Sequence, residues 1–377
     1  MRNTHCKANI LLHKYLLIII IIPFLIYHCR AEDDLTEQII RFSGADRLTE
    51  ALPESVRQNE LLSDADFSLR HNGALKSVVL KLLSLLADAF KRETAGFLSL
   101  CAFLAACVLL RLQSGLSAEV GKVADLVCML CVCGYCHSFT YETLKLVTAA
   151  VSEIDLFMTS MLPVMASLYT VGGAAATATV QNAAVYGAVT LFEKINASLL
   201  APLFNCCFAM TMVCAVSSVR LSGVVKFIKN FVIRLCVTLL TLLTAVLFFQ
   251  SALSGAADSL AMRGVKYAAG FIPIVGSLVG EAARTVAASI GVIKASAGVF
   301  AVTAILYTLL APCAVIVCKK TLLAVCAVVG GVIGADREAA FIEEVNGILS
   351  ILLALLLSVG IFFILAVTLF IKTAVTV

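Results

Sequence analysis

The sequence predicts an all-α, polytopic integral membrane protein, and three observations carry that prediction. Of the 377 residues, 61% are hydrophobic and only 14% are charged, and the mean hydropathy is +1.02. The apolar residues come in runs of membrane length, and about 20 such residues cross a bilayer core as a helix. Proline and glycine interrupt some of these runs, and broken helices persist at membrane depth only when buried in protein or lining a watery cavity. The combination predicts an N-terminal signal sequence and about seven to nine transmembrane helices, some of them Pro/Gly-broken and re-entrant. Two soluble domains, which the length alone would permit, are excluded. The net charge of +4 is small and sits mostly between the runs, so it reads as topology and not as nucleic-acid binding. With no Trp in the chain, interfacial anchoring falls to Tyr, Lys and Arg.

Residues 1–31 carry Arg2, Lys7 and Lys14, then an apolar core from Tyr15 to Tyr27, then Cys29-Arg30-Ala31. A basic n-region, a short apolar h-region and a small residue before an acidic stretch are the pattern of a signal peptide. An uncleaved signal anchor is the alternative. His28 before Cys29 argues against a lipoprotein site. Residues 32–93 form the one substantial polar segment, expected outside the cytoplasm. Val79, Leu82, Leu83, Leu86 and Phe90 recur there at helical spacing opposite Lys81 and Asp88, as in short amphipathic helices on a membrane or partner.

Residues 94–377 are the polytopic domain. Nine apolar runs are expected to span, at 95–110, 123–139, 156–172, 174–191, 195–219, 231–253, 297–317, 321–334 and 347–371. Basic residues favour the cytoplasmic side. Alternating the spans from an outside start places Arg111 with Lys122, Arg220 with Lys226 and Lys229, the pair Lys319-Lys320, and Lys372 inside. Glu142, Glu153, Asp155, Asp336, Glu338, Glu343 and Glu344 then fall outside. The basic residues between Arg263 and Lys294 are the exception, because they fall outside too.

The stretch GVKYAAGFIPIVGSLVGEAARTVAASIGVIKASAGVF, from Gly264 to Phe300, is neither a loop nor an ordinary span. Pro273 lies among large apolar residues and glycines, and proline removes a backbone donor and clashes with the preceding turn. A re-entrant or interfacial helical hairpin is expected here. An earlier string, LPVMASL at Leu162–Leu168, resembles IPIVGSL at Ile272–Leu278. Interrupted segments in matching positions of two halves point to a transport pathway. Two readings stay open: chance similarity in so apolar a chain, and an internal duplication around 156–192 and 254–296. The candidate gate or pathway set is Pro163, Gly172, Gly173, Arg263, Lys266, Pro273, Gly276, Glu281 and Arg284. The bland reading of its charged members is the wet face of an interfacial helix.

Cys128 to Cys136, followed by His137, contains a C-x-x-C-H string and thiols at metal-ligand spacing. On a helix Cys128 and Cys131 share a face while Cys133 points away from both, so the thiols are expected to pack and not to converge on an ion. The chain's 15 cysteines lie mostly inside apolar runs, which argues against a disulfide framework. Arg234 is expected to snorkel to the interface. Gln181, Asn182, Asn196, Asn205 and Gln250 are expected to join helices by hydrogen bonds. No Walker loop, H-E-x-x-H or G-x-S-x-G string occurs, so neither an enzyme nor a cofactor is expected. A lipid-modifying enzyme using Glu153, Asp155 and His137 is the residual alternative.

The signal sequence, the helical preface, the many spans, the string Phe271-Ile272-Pro273-Ile274-Val275-Gly276 and the segment after it resemble the stage III sporulation protein AE family. Arg263 and Lys266 before that string, the junction Ser296-Ala297-Gly298-Val299-Phe300-Ala301, and the Gly172-Gly173 pair also match. The resemblance implies a subunit of a sporulation channel or secretion-like complex linking mother cell and forespore, needed for late forespore gene expression after engulfment. It implies partners in a cytoplasmic ATPase and ring-forming membrane proteins, and a place in the mother-cell membrane around the forespore. It implies no catalytic residue. A free-standing secondary transporter and a structural anchor recruiting other subunits are the alternatives.

Overall fold

The structure is a computed structural model that describes residues 74–113, 118–216, 222–269 and 275–372. The expected signal peptide lies outside them, as do Pro273 and most of the polar preface. Among the described residues the chain forms α1 (Ala74–Gln113), α2 (Ala118–Val171), α3 (Ala175–Lys194), a π-helical turn (Ile195–Leu200), α4 (Ala201–Val216), α5 (Ser222–Ala269), α6 (Val275–Val332) and α7 (Asp336–Lys372). No strand occurs among them. The all-α prediction is borne out. The expected domain boundary at residues 93 and 94 falls inside α1.

Six stretches of helix are long and apolar enough to cross a membrane among the described residues. Several are far longer than one crossing. The stretch Gly121–Val171 has 51 residues and rises about 77 Å, against a hydrocarbon core of about 30 Å. The nine apolar runs are thus strung two to a helix in three places: on α2, on α3 through α4, and on α6.

The helices run up and down beside one another. Arg111 near the end of α1 reaches Asp125 near the start of α2, while Tyr135 further along α2 donates to the Gly96 carbonyl at 2.7 Å. That pairing makes α1 and α2 antiparallel. Tyr169 on α2 meets Gln181 on α3 across their connection. For α6 and α7 three glycine crossings define an antiparallel pair: Gly330 against Ala339, Gly360 against Leu309, and Gly298 against Ile371. Small residues let helix backbones approach closely where lipid supplies no hydrophobic drive.

Two of the sharp turns share one mechanism. After α2, Ala174 N–H donates to the Tyr169 carbonyl and Gly173 N–H to the Thr170 carbonyl, at 2.9 and 3.1 Å. After α6, Ala335 N–H donates to Gly330 and Gly334 N–H to Gly331, at 2.8 and 3.3 Å. Both are Schellman closures, which need a left-handed residue at the fifth position. Gly173 (φ 76°) and Gly334 (φ 85°) supply it without a Cβ clash.

The core lies along α2, α6 and α7 and is rich in Ile, Leu, Val, Met and Phe. Phe192 of α3 packs on Phe362 and Phe363 of α7, with centroids at 5.7 and 5.8 Å. Helices α1 and α5 are peripheral, and α5 exposes Phe227, Phe231, Phe249, Leu253 and Leu260. A large exposed apolar face is the expected lipid-facing side of such a helix.

Candidate functional site

Pro163 does not break its helix. It lies inside α2, exposed on the surface, and the chain turns only at Gly172-Gly173. A proline ring on the outer side of a membrane helix is tolerated when neighbouring groups compensate the lost bond. Here Thr159 and Ser160 hydroxyls also bond back to the carbonyls of Asp155 and Leu156, at 2.8 and 3.0 Å. The break expected around Pro163 is therefore nine residues further on, where glycine permits the positive φ that proline cannot adopt.

That turn is where polar groups gather. The side chain of Asp258, on α5, accepts hydrogen bonds from Ala176 N–H and Thr177 N–H, both at 2.9 Å, and from the Thr177 hydroxyl at 2.6 Å. Ser254, one turn earlier on α5, meets the Thr177 hydroxyl at 3.1 Å. The carboxylate thus caps the first turn of α3 from another helix, satisfying orphan donors and the positive end of the helix dipole together. Beside it, Tyr169 donates to Gln181 Oε1 at 2.6 Å, and the buried Lys294 of α6 lies 4.6 Å from the Tyr169 ring and 5.2 Å from Phe370. Such cation–π packing helps a lysine lie away from water. Four helices, α2, α3, α5 and α6, meet here with α7.

Of the nine sequence candidates, Gly172 and Gly173 form this turn, and Arg263 is exposed near the end of α5, five residues past Asp258. Lys266 belongs to α5, and Gly276, Glu281 and Arg284 belong to α6, but their side chains lie outside the described residues. Asp258 escaped the sequence reading because it stands in a run of small residues without a motif. A carboxylate inside an apolar helix was the available signal.

Two further polar layers cross the interior. Lys319 is 1% exposed, donates to the Phe139 carbonyl at 2.7 Å, and lies 3.6 Å from Glu93 and 4.0 Å from Glu142. It also stands 4.2 Å from the Phe139 ring. Lys320 donates to the Asn346 carbonyl and to Ser350, at 3.2 and 2.5 Å. The cytoplasmic turn expected at Lys319-Lys320 is thus absent. No Gly or Pro lies between Val317 and Thr321 to break the helix, and both ammonium groups find partners within the bundle. Further along, Arg111 pairs with Asp125 at 2.7 Å and with the fully buried Glu338. This corrects the expected sidedness: Arg111 and Glu338, assigned to opposite faces by the alternation of nine spans, touch.

The cysteine string packs on one face, and the face differs from the one expected. Cys128, Cys133 and Cys136 are buried, whereas Cys131 is exposed. Cys101 of α1 and Cys326 of α6 bring their sulfurs to 3.6 Å. No group of three or more His, Cys, Asp or Glu side chains among the described residues is arranged to hold a metal ion. His137 lies in an aromatic cluster, 4.8 Å from Phe208 and 5.6 Å from Tyr141 between ring centroids. Gln181 joins helices as expected, and Arg234 is exposed.

No curated protein and no solved structure matches the chain. A family model does, that of Stage III sporulation protein AE (spore_III_AE), over residues 63–374. The match runs from just before α1 to the end of α7 and takes in both Schellman turns, the Asp258 cap and the string around Pro273. On that coverage the chain belongs to the stage III sporulation protein AE family.

Proposed function

We propose that this protein is a membrane subunit of a sporulation channel or secretion-like complex that links mother cell and forespore. In this reading it serves late forespore gene expression after engulfment, from the mother-cell membrane around the forespore. Its partners there are a cytoplasmic ATPase and ring-forming membrane proteins. The observation that carries the reading is family membership over residues 63–374, in a chain whose described residues form long apolar helices.

The gate is proposed at the α2–α3 turn, with Gly172, Gly173 and Asp258 as its described part and Pro273 with its neighbours as the remainder. A glycine turn held by a carboxylate from another helix can open by giving up three hydrogen bonds. The test is an in-frame deletion in the source organism, scored by microscopy for engulfment and by a late forespore reporter. Normal engulfment, a silent reporter and collapsing forespores are expected; a normal spore yield discards the reading. Pro273→Ala should lower the reporter at unchanged protein level, and an unchanged reporter removes Pro273 from the gate.

The buried ionisable groups Lys294, Lys319 and Asp258 favour one second reading, a free-standing secondary transporter. Solute uptake by the purified protein alone in liposomes would select it.

A further inference from the structure

Asp155 lies on α2 with 5% of its surface exposed, and neither carboxyl oxygen has a hydrogen-bond partner among the described residues. Glu338 also leaves one oxygen without a partner, but its other oxygen takes Arg111. Asp155 has no such relief. The nearest buried cations on α6 are far along the bundle. Lys319 sits at Phe139, about 24 Å of helix rise before Asp155, and Lys294 sits at Tyr169, about 21 Å after it.

Between those levels no cation of the described residues hydrogen-bonds to Asp155. Helix α6 has no charged residue between Lys294 and Lys319, and α7 has none between Glu344 and Lys372. The π-helical turn and α4 have none at all. On α1, Glu93 lies with Lys319 and Arg111 lies with Asp125 and Glu338. Asp88, Lys91, Arg92 and, with side chains outside the described residues, Lys76 and Lys81 precede Glu93 on the antiparallel course toward the level of Asp155. On α3 the charges are Glu193 and Lys194, both exposed, and Glu193 is the group whose field reaches Asp155. On α2 itself Glu153 lies two residues away. Lys145, ten residues before Asp155 on α2, is exposed and lies 5.1 Å from the Tyr141 ring.

A buried ionised carboxylate that accepts no hydrogen bond is far costlier than the neutral acid. A buried polar group left without partners in a membrane domain calls for an explanation of its own. Just beyond Glu193 the chain is wound as the π-helical turn Ile195–Leu200, which packs against α2. Such turns interrupt the regular ladder and recur at functional sites.

We propose that Asp155 is a proton-binding site in the interior of the membrane domain. The site is occupied in the packed state and empties when α3 and the π-helical turn part from α2 and admit water. The inference stands apart from the channel reading, since it concerns the isolated protein.

The experiment uses the full-length protein in liposomes and infrared difference spectroscopy of wild type against Asp155→Asn. At neutral pH the substitution should remove one band of a protonated carboxyl group. Loss of a carboxylate band instead overturns the proposal. Conversion of the protonated band to carboxylate by added sodium at fixed pH also overturns it, in favour of an alkali-cation site. A second measurement needs no variant. The O–H of a neutral carboxyl group adds across a C=N bond of a membrane-permeant carbodiimide, and wild type should acquire an adduct on the Asp155 peptide at about pH 6 that is lost at about pH 9. Equal modification at both pH values, or none at either, overturns the assignment.

Discussion

Asp258 holds three donors of the α2–α3 turn from a neighbouring helix, at 2.6 to 2.9 Å. Removing such a cap costs about 1–2 kcal/mol. Asp258→Ala should therefore lower the melting temperature of the purified protein by several degrees, and Asp258→Asn by less, because an amide oxygen still accepts. Equal losses for the two variants would deny the cap its role. Lys319 is the second such residue. Its ammonium group is buried with Glu93 and the Phe139 carbonyl, and removing one member of a buried pair costs about 3–5 kcal/mol by leaving the other uncompensated. Lys319→Met should be strongly destabilising, and the double variant with Glu93→Gln should recover part of the loss. A double variant no more stable than Lys319→Met would show that Glu93 is not its partner. Neither role was legible from motifs. Lys319-Lys320 read as a cytoplasmic turn because paired lysines between apolar runs usually are one; the partners that reverse that reading come from α1, α2 and α7, remote in sequence.

At the scale of elements, two glycines decide where helices stop. Gly173 and Gly334 both carry a positive φ at the fifth position of a Schellman closure. A Cβ there is strained whatever space surrounds it, at roughly 1 kcal/mol. Nothing lies within 4 Å of a Cβ built at Gly334, so Gly334→Ala isolates the backbone effect. A loss of about 1 kcal/mol by denaturant or thermal unfolding is expected, and no loss would remove the left-handed requirement. The glycine pair at 172–173 was legible as an interruption, but its neighbour Pro163 drew the expected break too early. Proline signals a lost donor, whereas a reversal of direction needs a residue that tolerates positive φ.

At the scale of the whole molecule, Arg111 and Glu338 bring the α1–α2 and α6–α7 connections to one end of the bundle. Topology reporters inserted after Gln113 and after Gly334 should report the same compartment. Opposite compartments would restore the alternation of nine spans and separate these helix ends. A cross-link tests the same arrangement in the interior. Cys101 and Cys326 stand 3.6 Å apart at sulfur, so a mild oxidant should join α1 to α6 as a disulfide, detected in proteolytic fragments by mass spectrometry. Its absence in wild type, under conditions that oxidise an exposed thiol such as Cys131, would contradict the α1–α6 pairing.

The sequence by itself determined the helical class, the membrane character and the family, because these follow from the length and composition of apolar runs and from a local string around Pro273. It also marked Gly172-Gly173, because a glycine's permissiveness is a property of the residue. Tertiary structure alone decided which charges lie between helices and which lie inside them. Asp155, Lys319 and Glu338 all looked like interfacial punctuation, and each is buried among side chains dozens to hundreds of residues away. An apolar run states that a helix is stable in lipid; the energy of a charge within it depends on partners that only packing brings within a few ångströms.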